Sequence, residues 1–253
     1  MKLAFKSIVV AAAFVAAGAA NAGTVVEAGN LATGYYFSGG TGTLTFSQTL
    51  IDALNTGGVE VIAATPATSN IVGTPYDYTA VGVSAPVSSL TVSTGGLIEQ
   101  AQSQGGATQI ANFVKGVSYG GTISVTNLRI DMVNKNIYAD FVGAGKTSTG
   151  TTVNVNQSNV LAWTFSDIAG PTNITPGAFY TTFYTTLSGL ALTTEGFNNL
   201  KAGLGLYSIG LIALQGASTD FGTLTLAVPE PSTYALMGLG LVGLALARRR
   251  AGK

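Results

Sequence analysis

The side chains able to do chemistry are few and scattered. The chain of 253 residues contains no His and no Cys. That removes Ser-His-Asp and Cys-His nucleophiles, imidazole bases, thiolate chemistry, disulfides and the common soft zinc ligands. Gly116-Val117-Ser118-Tyr119-Gly120 matches the hydrolase elbow G-x-S-x-G. An elbow needs a strand before it, a helix after it and a His to take the Ser proton. Here a Gly-Gly turn and the alternating run 122–126 follow, so the match reads as a Gly/Ser turn. Ten carboxylates lie between residues 23 and 227: Glu27, Asp52, Glu60, Asp77, Glu99, Asp131, Asp140, Asp167, Glu195 and Asp220. Two carboxylates suffice for glycoside hydrolysis, so lack of His leaves that class open. These ten stand singly and lack the D-x-D-x-D spacing of a calcium loop. They read as solvated or cross-strand-paired groups, with calcium binding and acid–base catalysis as lesser alternatives. No catalytic residue, metal ligand or cofactor is assigned.

Aromatic rings offer a second chemistry, stacking on sugars, for which Tyr35, Tyr36, Tyr76, Tyr78, Tyr180 and Tyr184 are candidates. If 76–78 is a strand, Tyr76 and Tyr78 share one face. The competing reading for aromatics in a β domain is core packing, and Trp163, within Leu161-Ala162-Trp163-Thr164-Phe165, is placed in the core. Thr-rich stretches such as Thr41-Gly42-Thr43-Leu44-Thr45 lack the constant repeat that an ice-facing ladder needs.

The elements that hold these residues are mostly strands. Glycine, at 34 residues, is about twice its usual ~7% share, Thr is abundant, and Lys and Glu are scarce, a balance that favours strands and turns. Alternating runs recur at 42–46, 59–62, 89–92, 122–126, 160–165 and 222–226, the pattern of a sandwich or barrel. A mainly β, antiparallel, sandwich-like domain with one to three short helices is therefore expected. From Leu128 to Phe141, a two-residue loop at Asn134-Lys135 sets Met132 opposite Ile137, Ile130 opposite Ala139 and Leu128 opposite Phe141. The same register sets Arg129 against Asp140 and Asp131 against Tyr138. Ser47 to Asn55 predicts a helix with a Ser N-cap and a Gly57-Gly58 stop, and Thr194 to Ala202 predicts a second, closed by Gly203. Residues 97–111 could hold one or two more, split at Gly105-Gly106.

The two ends read as addresses. Lys2 and Lys6 precede the apolar run 7–17, which decays into Ala20-Asn21-Ala22-Gly23. This is the n-region, h-region and A-x-A site of a secretory signal peptide, with cleavage between Ala22 and Gly23 after Sec export. At the C-terminus, Pro229-Glu230-Pro231 breaks the preceding strand and starts an extended hinge. The apolar run from Thr233 to Ala247 includes Tyr234, Leu236, Leu239, Leu241, Leu244 and Leu246. As a helix it reaches roughly 22 Å against a ~30 Å hydrocarbon core. Gly238-Leu239-Gly240-Leu241-Val242-Gly243 spells G-x-G-x-x-G, but its place inside this run makes it a set of small residues in a membrane helix. Arg248, Arg249 and Arg250 form a cytoplasmic stop. The domain plan is therefore signal peptide 1–22, exported passenger 23–227 and tail 228–253. The passenger carries 5 basic and 10 acidic side chains, a net charge of −5 and no basic footprint for nucleic acid.

Pro229-Glu230-Pro231, the Gly-rich apolar run and the Arg cluster, in that order, resemble the PEP-CTERM sorting signal of Gram-negative bacteria. The resemblance implies a transient inner-membrane anchor, recognition and removal of the tail by an exosortase, and delivery to the cell surface or exopolysaccharide matrix. A second, diffuse resemblance, in Gly42 to Ser47, Gly95-Gly96-Leu97 and Val125 to Asp131, is to HtaA-type haem-uptake surface domains; the chain lacks the His such proteins can use to hold iron, which leaves Tyr as a possible ligand. The expected role is noncatalytic and structural or adhesive, with exopolysaccharide as the candidate partner. The alternatives are a two-carboxylate carbohydrate-active enzyme and a haem- or metal-binding surface protein. Paired acids about 5–9.5 Å apart in a cleft would mark the former.

Overall fold

The computed structural model describes residues 23–175 and 183–228. Strands β1 (Thr24–Glu27), β2 (Asn30–Ala32), β3 (Tyr35–Phe37) and β4 (Gly40–Phe46) lead into helix α1 (Gln48–Gly57). There follow β5 (Glu60–Ala64), β6 (Thr68–Val72), β7 (Ala80–Val92), β8 (Ile98–Ser103), β9 (Gly106–Val114), β10 (Ser118–Asp131), β11 (Asn136–Lys146), β12 (Thr152–Thr164) and β13 (Asp167–Ala169). The C-terminal part contributes β14 (Phe183–Ser188), β15 (Ala191–Leu192), α2 (Thr194–Gly203), α3 (Ile209–Ala217) and β16 (Gly222–Val228).

The expected β class with short helices is what forms. Fourteen strands make one antiparallel sheet along the path β13-β14-β16-β4-β7-β8-β10-β11-β12-β15, with β1 and β6 added on β7 and the β5-β9 pair on β10. The sheet curls so that its parts face one another across a single core. Aromatic rings run through that core from Phe46 to Phe221 to Trp163 to Phe141, with centroids 6.2, 5.3 and 6.5 Å apart. Trp163 is buried as expected. The look-alike runs Gly42-Thr43-Leu44-Thr45 and Gly222-Thr223-Leu224-Thr225 are direct antiparallel neighbours, Thr43 opposite Thr225 and Leu44 opposite Leu224.

Bulges supply the curl. Register slips between Thr126 and Arg129 on β10 and between Ala139 and Phe141 on β11. Asn127 and Asn159 take left-handed backbone at these points, with φ of 55° and 54°. Asp140 fastens both: its carboxylate accepts from Asn127 Nδ2 at 3.0 Å and from the Asn159 N–H at 2.8 Å. Asn127 and Asn159 therefore share one anion across three strands.

The hairpin at 128–141 forms with a different register from the expected one. Asp131 pairs Asn136, Ile130 pairs Ile137 and Arg129 pairs Tyr138, so residues 132–135 make a four-residue loop. Asp131 causes the shift. Its carboxylate accepts from the Asn134 N–H and from Asn134 Nδ2, both at 2.9 Å, which folds the loop early, and Lys135 closes it with φ 56°. Arg129 consequently does not face Asp140. Its Cζ lies 3.9 Å from the Tyr138 ring centroid, and its Nε donates to Asn159 Oδ1 at 3.1 Å.

Helix α1 has the expected ends: Ser47 Oγ accepts from the Leu50 N–H at 3.1 Å, and Gly58 takes φ 55°. Helix α2 also forms where expected, capped by Thr193 Oγ1 on the Gly196 N–H. The expectation of helix within 97–111 is corrected: the segment is β8 and the start of β9. Ile98 to Ser103 pairs with β7 on one side and β10 on the other, and that two-sided pairing overrides local composition. The signal helix and C-terminal apolar helix lie outside the described residues. Among the described residues no helix is long and apolar enough to cross a membrane.

Candidate functional site

The G-x-S-x-G serine is a structural hydroxyl. Ser118 is fully buried, donates from Oγ to the Leu204 carbonyl at 2.6 Å and accepts from the Gly120 N–H at 2.8 Å. It opens a strand, so the elbow's following helix is absent from this place. Of the ten carboxylates, Asp131 and Asp140 hold the turn and bulges described above, and eight are exposed or half-buried on separate elements. Among the described residues no group of three or more Asp or Glu assembles to hold a metal. A small apolar cleft of about 40 Å³, partly open to solvent, lies within the curl between Leu44, Val83, Val125, Trp163 and Leu224. Gln109 is its polar lining residue, and no carboxylate borders it.

The tyrosine candidates separate. Tyr35 is buried and donates to the Thr94 carbonyl at 3.1 Å. Tyr78 is buried, and its backbone is clamped by Asn55, whose Oδ1 accepts from the Tyr78 N–H at 2.8 Å and whose Nδ2 donates to the Tyr78 carbonyl at 2.9 Å. Burial raises the Tyr78 phenol above its ordinary pKa, Glu60 adds to the rise, and the Val61 N–H that it accepts opposes it. Tyr76 and Tyr78 do not share a face. Tyr76 sits in a turn at φ 80°, is 60% exposed, and lays its ring over Gly58. Tyr184 is also exposed, Tyr36 is half-buried on β3, and Tyr180 lies outside the described residues.

A more extended aromatic surface lies where no candidate was placed. Phe113 on β9 and Tyr119 on β10 are direct cross-strand partners and so share one face. Ser118 makes an isolated bridge to Leu206, which lays the segment after α2 beside the start of β10. The Tyr119 N–H donates to the Gly205 carbonyl and the Tyr207 N–H to the Val117 carbonyl, each at 2.9 Å. This brings Tyr207 onto Tyr119, with ring centroids 3.9 Å apart and planes 10° from parallel. The Gly116 N–H donates to the Tyr207 hydroxyl and fixes the ring. Phe113, Tyr119 and Tyr207 thus form a row over two strands and the segment beside them, roughly 10 Å across. Phe113 is 67% exposed, and Ile209 and Ile212 of α3 are exposed too, Ile209 beside Gly116. Lys115, in the turn between β9 and β10, is exposed nearby in the chain.

Glycines make this placement possible. Helix α2 lies so close on β10 and β11 that a Cβ at Gly145 would stand 2.0 Å from the Ala202 carbonyl oxygen, and one at Gly121 2.2 Å from that of Gly203. The chain leaving α2 therefore drops directly onto the start of β10, carrying Tyr207 to Tyr119.

At the other functional locus, the C-terminal tail, residues 227–250 match the PEP-CTERM protein-sorting motif. The tail is therefore a sorting signal, and it implies an exported chain with a C-terminal membrane anchor before exosortase cleavage. The matched span contains Pro229, Glu230, Pro231, the apolar run from Tyr234 to Leu246 and Arg248, Arg249 and Arg250, all outside the described residues, as are Ala20 and Ala22. Gly23 is described and leads into β1. Among solved structures, the chain is similar to the heme-binding protein HtaB from Corynebacterium glutamicum, with a TM-score of 0.38 and 13% identity over 75% of this chain and 93% of that one. Similarity at that level says nothing of a ligand. No curated protein matches the chain.

Proposed function

We infer that the protein is a noncatalytic surface or matrix protein with a structural or adhesive role, exercised by laying Phe113, Tyr119 and Tyr207 against exopolysaccharide. The aromatic row carries this reading. Apolar rings with phenol hydroxyls suit the C–H faces and hydroxyls of a sugar, and rings held by the backbone around them spend little ordering entropy on contact. The sorting tail supports it because it implies an exported chain. A noncatalytic role is supported by the sealing of Ser118 and by the structural use of Asp131 and Asp140. The test is a glycan array probed with the exported, tail-processed protein. Binding to extended polysaccharides that weakens in Phe113→Ala supports the reading; silence across the array, or turnover of any glycan, contradicts it.

A further inference from the structure

The sorting motif and the fold overlap in sequence. The motif begins at residue 227, yet Ala227 and Val228 are the last two residues of β16. This strand lies inside the sheet, between β14 and β4. Val228 pairs Phe183, and Ala227 pairs Tyr184 on one side and Thr41 on the other. Leu224, Leu226 and Val228 point into the core, all at least 96% buried. The fit is close: a Cβ at Gly40 would come within 2.7 Å of the Ala227 carbonyl oxygen and 2.9 Å of a Val228 methyl. Pro229 follows the last residue of the packed strand directly in the sequence. From Val228 to the start of the apolar run at Thr233, the chain can reach at most about 18 Å even when fully extended.

Processing enzymes bind the chain on both sides of the cut in extended form, as an added strand or in a groove. Residues 224–227, paired on two sides, and Val228, paired on one side with its side chain in the core, cannot make those contacts. We propose that β16 gates removal of the tail: docked between β14 and β4, it withholds every residue up to Val228 from the membrane enzyme. The folded junction then limits the rate of tail removal, and the cut is confined to bonds after Val228. Cleavage breaks one amide bond there, its acyl carbon passing to water or to an acceptor amine and the amine leaving with the tail. A cut before Val228 would strip a paired, buried residue from the sheet, so the same strand protects the passenger from overtrimming.

The test uses the full chain, exported in cells that contain its exosortase, with tail loss followed by pulse-chase and intact mass. A six-residue Gly/Ser spacer inserted between Val228 and Pro229 frees the hinge from the sheet, and it is expected to speed tail removal at least threefold. The same spacer inserted between Ser232 and Thr233 lengthens the reach to the membrane without freeing the hinge, and it is expected to leave the rate within twofold of the parent. Leu226→Ala, which loosens β16, is expected to be processed faster where it remains exported. Equal rates for the parent and the first spacer variant, or equal acceleration by both spacers, would overturn the gate. A tail retained in every variant would instead overturn the processing on which the proposal rests.

Discussion

Gly145→Ala isolates the contact that seats the aromatic row. The new Cβ would lie 2.0 Å from the Ala202 carbonyl oxygen and 2.7 Å from the Gly205 nitrogen, both backbone atoms that cannot rotate aside. Reaching ordinary contact requires α2 to lift by about 1.4 Å. Overpacking of this kind costs roughly 1–3 kcal/mol. The lift also strains the helix exit, where the Leu206 N–H donates to the Lys201 carbonyl at 3.0 Å and the Gly205 N–H to the Ala202 carbonyl at 3.3 Å. At about 1 kcal/mol net for each such bond, partial loss brings the expected destabilisation to about 3 kcal/mol. For a domain of this size that corresponds to a Tm lower by about 6–12 °C. Urea unfolding of the exported protein, read by the fluorescence of its single tryptophan, Trp163, gives the number directly. Gly216→Ala is the control, since nothing lies within 4 Å of its Cβ position in α3; it should be stabilising by about 0.5 kcal/mol through helix propensity. A Gly145→Ala protein within 0.5 kcal/mol of the parent would refute the close seating of α2, and with it the reason Tyr207 reaches Tyr119.

Asp140→Ala removes the acceptor that both bulge asparagines share, so urea unfolding should show a loss of about 1–3 kcal/mol. Ser118→Ala strands the Leu204 carbonyl and the Gly120 N–H in the interior and should cost a similar amount in the same assay, with thermal scans shifting in parallel. Tyr78 titrates higher in the folded chain than in the unfolded one, so its contribution to stability is fully present below the unfolded phenol pKa near 10.0. That contribution falls as pH rises through the folded value; Tyr78→Phe should flatten the alkaline end of the stability–pH curve, and an unchanged slope would contradict the assignment.

What was legible in the sequence was local. Ser47 and Gly58 flank α1 in plain view, and the hinge, apolar run and arginines of the tail act through composition and order alone. Helix α3 left no such mark: Ser208 precedes it at φ 42° without a side-chain cap, and the Ile209 N–H is satisfied by the Gly116 carbonyl in the distant turn between β9 and β10. The hairpin at 128–141 was visible as a hairpin, but Asp131 had two uses open to it, cross-strand partner or turn-former, and alternation alone does not choose between them. Residues 97–111 misread as helix because pairing with β7 and β10, invisible locally, decides their state. The aromatic row was hidden for the same reason. Phe113 and Tyr119 look like ordinary members of a glycine-rich turn, and Tyr207 joins them only because Ser118 bridges Leu206 far along the chain. Tyr76 and Tyr78 failed as a pair because the backbone between them turns.

We propose that a ring-lined surface on the exported passenger grips polysaccharide. Equilibrium binding of the tail-processed protein to purified exopolysaccharide, compared with Phe113→Ala and Tyr184→Ala, tests it most directly. Phe113 is mostly exposed, so its loss leaves the core intact. Removing one stacking ring at about 1–2 kcal/mol should weaken binding about 5- to 30-fold, while Tyr184→Ala binds as the parent does. Equal affinity for the parent and Phe113→Ala, or loss of binding in Tyr184→Ala alone, would contradict the account.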